Sequence, residues 1–128
     1  MIINALIFIW VLWVIFHLMA MLLIVPDQPS VIGNRIVIPA SLSNVLTPEE
    51  IAAIRLHEIG HQKNWHVWKN FAKVCVFIRP SCEVRKQQEF EADDYTASRG
   101  FRLPLASALR KLSLDAFDLK RADRLDPK

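Results

Sequence analysis

The sequence predicts a mainly α-helical protein. An N-terminal transmembrane helix leads into a small helical domain, with a short β-strand or hairpin ahead of that domain's first long helix. Three observations carry this. The first 25 residues contain no Asp, Glu, Lys or Arg, and Ala5 to Val25 run almost wholly apolar. A β-branched stretch with a Gly33-Asn34 pair follows and closes on Pro39. Thr47-Pro48-Glu49-Glu50 then has the form of a helix start, after which apolar residues recur at helical spacing.

At about 1.5 Å per residue, the 21 residues from Ala5 to Val25 match the roughly 30 Å of a bilayer's hydrocarbon core. A cleaved signal peptide needs a basic start, a shorter apolar stretch and a small-x-small cleavage site. Met1-Ile2-Ile3-Asn4 has no cation, and Ala20 is flanked by Met19 and Met21. Residues 1–25 therefore read as an uncleaved anchor, with His17 incidental. All 16 Lys and Arg lie at or beyond Arg35, and the positive-inside rule then favours a single-pass chain with its C-terminal domain in the cytoplasm. Against 13 Asp and Glu they leave a net charge of +3, too small and too evenly mixed to mark a nucleic-acid surface. Cys75 and Cys82 make neither a CxxC metal pair nor a disulfide framework and are expected as free thiols.

Pro26-Asp27-Gln28-Pro29-Ser30 ends the anchor and opens a linker over 26–34, since proline blocks helix continuation. Arg35 to Ile38 reads as a short strand, alone or as half of a hairpin. Thr47 can cap the next helix, Pro48 suits its first position, and Glu50 completes a capping box. Nothing stops that helix before Arg79-Pro80-Ser81, although it can kink or end near Asn64 and restart at Trp65. A further helix is expected from Cys82 or Glu83 to Ser98, stopped by Gly100. The last begins near Pro104 and carries Leu105, Leu109, Leu112 and Phe117. The domain is placed at 35–120, and the charged tail, 121–128, is expected to fray.

The chemistry centres on His57-Glu58-Ile59-Gly60-His61, an HExxH motif. Residues four apart on an α-helix differ by about 40° in azimuth, so both imidazoles emerge on one face and can share a tetrahedral ion. Glu58 projects near that face, placed to take a proton from water without ligating. A catalytic zinc needs a third protein ligand and an open position. Gln88-Glu89-Phe90-Glu91-Ala92-Asp93 offers it on the next helix. Glu89 is assigned to the metal. Asp93, four residues on, is assigned to the free ring nitrogen of a ligating histidine, with Glu91 pointing elsewhere.

His57-Glu58-x-x-His61 followed by Glu89-x-x-Ala92-Asp93 resembles the membrane-associated gluzincins, the HtpX and CAAX prenyl protease family, with the β-lactam-sensor antirepressor peptidases as relatives. Arg35-Ile36-Val37-Ile38-Pro39, the Thr47 helix start and His57 to Trp68 look most like the antirepressor branch. Glu89 through Gly100-Phe101 to Leu109-Arg110-Lys111-Leu112 looks more like the HtpX branch. The resemblance spans about residues 31 to 113, as a minimal version. It implies a zincin-like fold, Zn2+ held by His57, His61 and Glu89, Glu58 as general base and Asp93 as support. It also implies that the strand before the motif pairs with extended substrate.

The expected activity is hydrolysis of peptide bonds in membrane-proximal polypeptides by a Glu-activated, zinc-bound water. The alternative is a non-catalytic, membrane-tethered interaction protein, or an inactive zymogen-like relative with structural zinc or none. His66, about 180° round a continuous helix from His57, is expected at the surface or an interface. Trp65, Trp68, Phe71, Phe77 and Ile78 read either as core or as a surface lying on the bilayer. Tyr95, His66 and Arg99 remain open as donors to a developing oxyanion.

Overall fold

The computed structural model describes residues 2–23, 26–113 and 115–127. Helix α1 (Ile2–Leu23) is apolar on all sides and has no buried residue, and it is long and apolar enough to cross a membrane. Ile24 and Val25, the expected end of the anchor, lie outside the described residues. Two of its tryptophans tie it to the rest of the chain. The Trp10 indole donates to the carbonyl of Cys75 (2.7 Å) and Trp13 to that of Val74 (3.2 Å). These are terminal carbonyls of α3 (His66–Cys75), and that of Val74 also accepts from the Phe77 backbone at 3.0 Å. His17 stays local, with Nδ1 2.9 Å from the Trp13 carbonyl.

The expected strand is half of an antiparallel hairpin, β1 (Ser30–Ile32) with β2 (Arg35–Val37), so part of the linker is itself a strand. Gly33 takes the first loop position at φ +57°, a conformation that glycine adopts without strain, and Asn34 the second. Asn34 also pins the hairpin to the helices. Its carbonyl accepts from Gln62 (2.9 Å) and its side-chain oxygen from Trp68 (3.4 Å).

A 3-10 turn (Ala40–Asn44) leads to α2 (Pro48–Lys63), which opens on the expected capping box between Thr47 and Glu50. The helix ends at Asn64. Trp65 adopts a left-handed conformation (φ 59°) and α3 restarts in a new direction. Ser81 caps α4 (Cys82–Ala97), and beyond that helix Gly100 sits at φ +85°. Helix α5 (Arg102–Leu112) starts slightly before the expected Pro104.

The tail behaves differently from the expectation. Asp115 caps a further helix, α6 (Ala116–Leu125), by accepting from the backbone of Phe117 and Asp118. Ala122 and Leu125 on one of its faces enter the core with Leu42, Leu46, Ala53, Ile54, Leu105 and Leu109. Burial of that face outweighs the charge that suggested fraying. The core thus lies between α2, α5 and α6, and α4 packs across α2 and also touches α5 and α6.

Candidate metal centre

The α2 helix turns His57, Glu58 and His61 toward a cleft of about 330 Å³, which Glu89 of α4 and Arg121 of α6 also line. Ser30 and Val31 of β1 form part of its rim, and Ile54, Leu105, Leu109 and Leu112 supply apolar lining. Three donor atoms converge there. His57 Nε2 lies 3.1 Å from His61 Nε2 and 3.2 Å from Glu89 Oε2, and His61 Nε2 lies 3.4 Å from Glu89 Oε1. For bond lengths of about 2.0–2.1 Å, the edge of a tetrahedron around zinc is about 3.3–3.4 Å. His57, His61 and Glu89 can therefore hold a metal ion. Two imidazoles and one carboxylate are a donor set that leaves a coordination position free.

The outer nitrogens of both rings face protein atoms, which turns each Nε2 inward. His57 Nδ1 approaches Asp93 Oδ1 at 3.0 Å, though without hydrogen-bond alignment. His61 Nδ1 lies 2.8 Å from His66 Nδ1, and His66 Nε2 lies 2.9 Å from Glu91 Oε2.

His66 is therefore not at the surface. It is 2 % exposed and contacts a candidate ligand directly. The expected 180° separation assumed one continuous helix. The left-handed turn at Trp65 redirects α3 and brings His66 under His61. Glu91 does point away from the three donors, toward His66.

Arg121 is the residue that sequence reasoning missed. Its guanidinium grips Asp93 through two hydrogen bonds (2.9 and 2.8 Å), reaches Asp118 at 3.2 Å and Glu89 Oε2 at 3.1 Å, and lies 3.4 Å from His57 Nε2. Asp93 is fully buried and Arg121 nearly so. The signals were a cap residue at Asp115 and the apolar Ala122 and Leu125 three residues apart, which together mark a packed helix. Tyr95 and Arg99, two of the three open oxyanion candidates, stack on each other at 3.7 Å, and neither lines the cleft.

The charges set the proton affinities. Burial opposes a charged His57, but Asp93 and Glu89 outweigh it and hold the imidazole up at about 9. Burial also favours neutral carboxyls at Glu89 and Asp93. For Glu89 the two histidines, and for Asp93 Arg121 and His57, reverse this and hold both below the usual carboxylate range. Glu58 takes no part in these ion pairs, and burial pushes its carboxyl up, only partly countered by His57 and His61. A carboxylate with raised proton affinity in an open cleft can accept a proton and give it back.

No family model, curated protein or solved structure matches the chain.

Proposed function

We propose that the chain is a membrane-tethered zinc endopeptidase of zincin-like fold, a minimal relative of the gluzincins that its motifs resemble. The observation that carries this is the meeting of His57 Nε2, His61 Nε2 and Glu89 within 3.1–3.4 Å of one another, beside Glu58 in one cleft. Such a donor set suits zinc, with nitrogen and oxygen ligands and an open position. A zinc ion held there would polarise a scissile carbonyl and lower the pKa of a water.

The remaining steps fall to the chain's own residues. Glu58 takes the proton from the attacking water at its carboxylate and returns it to the leaving amine. Asp93 orients His57, and Arg121 holds Asp93 and Glu89 in place. The strand expected to pair with substrate is β2, but its hairpin partner β1 is the one that lines the cleft, and the outer edge of β1 suits an extended polypeptide that adds as a further strand. The α1 helix confines the site to membrane-proximal substrates. With all 16 Lys and Arg beyond the apolar run, we place the domain on the cytoplasmic side.

One observation favours the second reading, a tethered protein without catalysis. Arg121 Nη2 already contacts Glu89 and His57 Nε2 and can neutralise the group without a metal. Metal analysis and a peptide-cleavage assay on the full chain in detergent separate the two. The parent should bind one zinc and cleave. Glu58→Gln should keep the zinc and lose about 10²–10⁴-fold in turnover, the usual contribution of a positioned acid–base group. If the Glu58→Gln variant cleaves as fast as the parent, the mechanism is wrong. If the parent binds no zinc, the second reading stands.

A further inference from the structure

The contacts behind His61 fix where its proton and that of His66 must lie. Two imidazole nitrogens 2.8 Å apart share one proton, one donating and the other accepting. This step rests on the metal reading above. If His61 Nε2 offers its lone pair to a cation, its proton is on Nδ1, so Nδ1 donates to His66 Nδ1. The proton of His66 is then on Nε2, where the Glu91 carboxylate accepts it at 2.9 Å. Every donor finds an acceptor and no proton is left over.

Two further features hold this chain of contacts rigid. The left-handed Trp65 places His66 at the very start of α3, only 2 % exposed. One turn on, the side-chain amides of Asn70 and Gln88 exchange two hydrogen bonds (2.9 and 3.0 Å) and lock α3 against α4, the helix that carries both Glu89 and Glu91.

We infer that His66 and Glu91 are positioning residues that set the tautomer and ring orientation of His61, joining a carboxylate, an imidazole and a ligating imidazole in series. His57 has a carboxylate directly behind it in Asp93, whereas His61 receives one only through His66. The two ligands are thus supported unequally, and the support of His61 depends on a residue outside the HExxH motif.

The test uses the full chain in detergent and measures zinc affinity by chelator competition, with circular dichroism as a check on folding. Outer partners of this kind contribute about 10- to 100-fold in metal affinity. His66→Phe, which keeps a ring but offers no acceptor, should weaken zinc binding by that factor. His66→Gln, whose amide oxygen can accept from Nδ1, should recover part of it. Glu91→Gln, at a half-exposed position where folding is not at stake, should weaken binding less but in the same direction. In the zinc-loaded parent, nitrogen NMR should show His61 protonated at Nδ1 and His66 at Nε2. Parent-like affinity in both His66→Phe and Glu91→Gln, or a zinc-loaded His66 protonated at Nδ1, overturns the inference while leaving the zinc site intact. A parent that binds no zinc overturns the metal reading and this inference with it.

Discussion

Gly60 and Ala92 mark the point where the two helices that carry the candidate metal-binding side chains touch. A Cβ on Gly60 would stand 2.9 Å from the Ala92 Cα and 3.2 Å from its carbonyl oxygen. Because those are backbone atoms, an added methyl can be accommodated only if α2 and α4 separate. His57 and His61 ride on α2, and Glu89, nearly a turn before Ala92, rides on α4, so this glycine sets the distance between the donors.

Gly60→Ala should therefore harm the site although it improves helix propensity. The propensity gain is about 0.5–1 kcal/mol, while forcing packed elements apart typically costs roughly 1–3 kcal/mol. A net loss of stability in chemical denaturation is expected, with zinc affinity falling as Glu89 is displaced. A Gly60→Ala variant as stable and as tight-binding as the parent would show that the close crossing is not what positions Glu89.

Arg121 and Asp93 form a buried pair whose removal from one side should be costly. With Asp93 fully buried and bonded twice to the guanidinium, Arg121→Met leaves a carboxylate without its main partner. Breaking one side of such a pair costs about 3–5 kcal/mol. Asp93→Asn combined with Arg121→Met should be less destabilised than the sum of the single changes, because the stranded charge is gone. A full thermodynamic cycle by urea denaturation measures this. Additive effects would mean that the pair is not coupled.

The contrast between Glu89 and Arg121 shows what could be read from the sequence. His57, Glu58, His61, Glu89 and Asp93 announce themselves by residue type at helical spacing. The Thr47 capping box, the stop near Asn64 and the helix from Cys82 to near Ser98 follow from local rules that depend on a few neighbouring residues. Arg121 and His66 needed information of another kind. Arg121 belongs to the site because α6 folds back over α5, a tertiary contact between residues that no local pattern relates to the motif. His66 belongs to it because one residue, Trp65, adopts a conformation that bulky side chains rarely take. Rotation angles computed on an unbroken helix therefore point His66 the wrong way. Standard caps are written in a few adjacent residues, whereas an unusual joint and long-range packing are not.

Glu50 predicts an acid-sensitive fold independent of the metal. Its buried carboxylate closes the capping box on the Thr47 backbone (2.7 Å) and accepts from Ser107 (2.6 Å) and Lys111 (2.9 Å), tying the start of α2 to α5. Burial alone would push its pKa up. The hydrogen bonds from Ser107, Lys111 and Thr47 outweigh that and hold it at about 2, against 4.5 ordinarily. A carboxyl whose pKa is lower in the folded state binds fewer protons there than in the unfolded chain. Its contribution is therefore complete above about pH 4.5 and drains away as the pH falls toward 2. At neutral pH that contribution is roughly 3 kcal/mol. Glu50→Gln should lower stability by about that amount at pH 7, and the gap between parent and variant should close on acidification. Denaturation curves of both proteins in the same detergent, from neutral pH down through this window, measure the gap directly. A gap that stays constant would show that the stabilisation by Glu50 does not come from its charge.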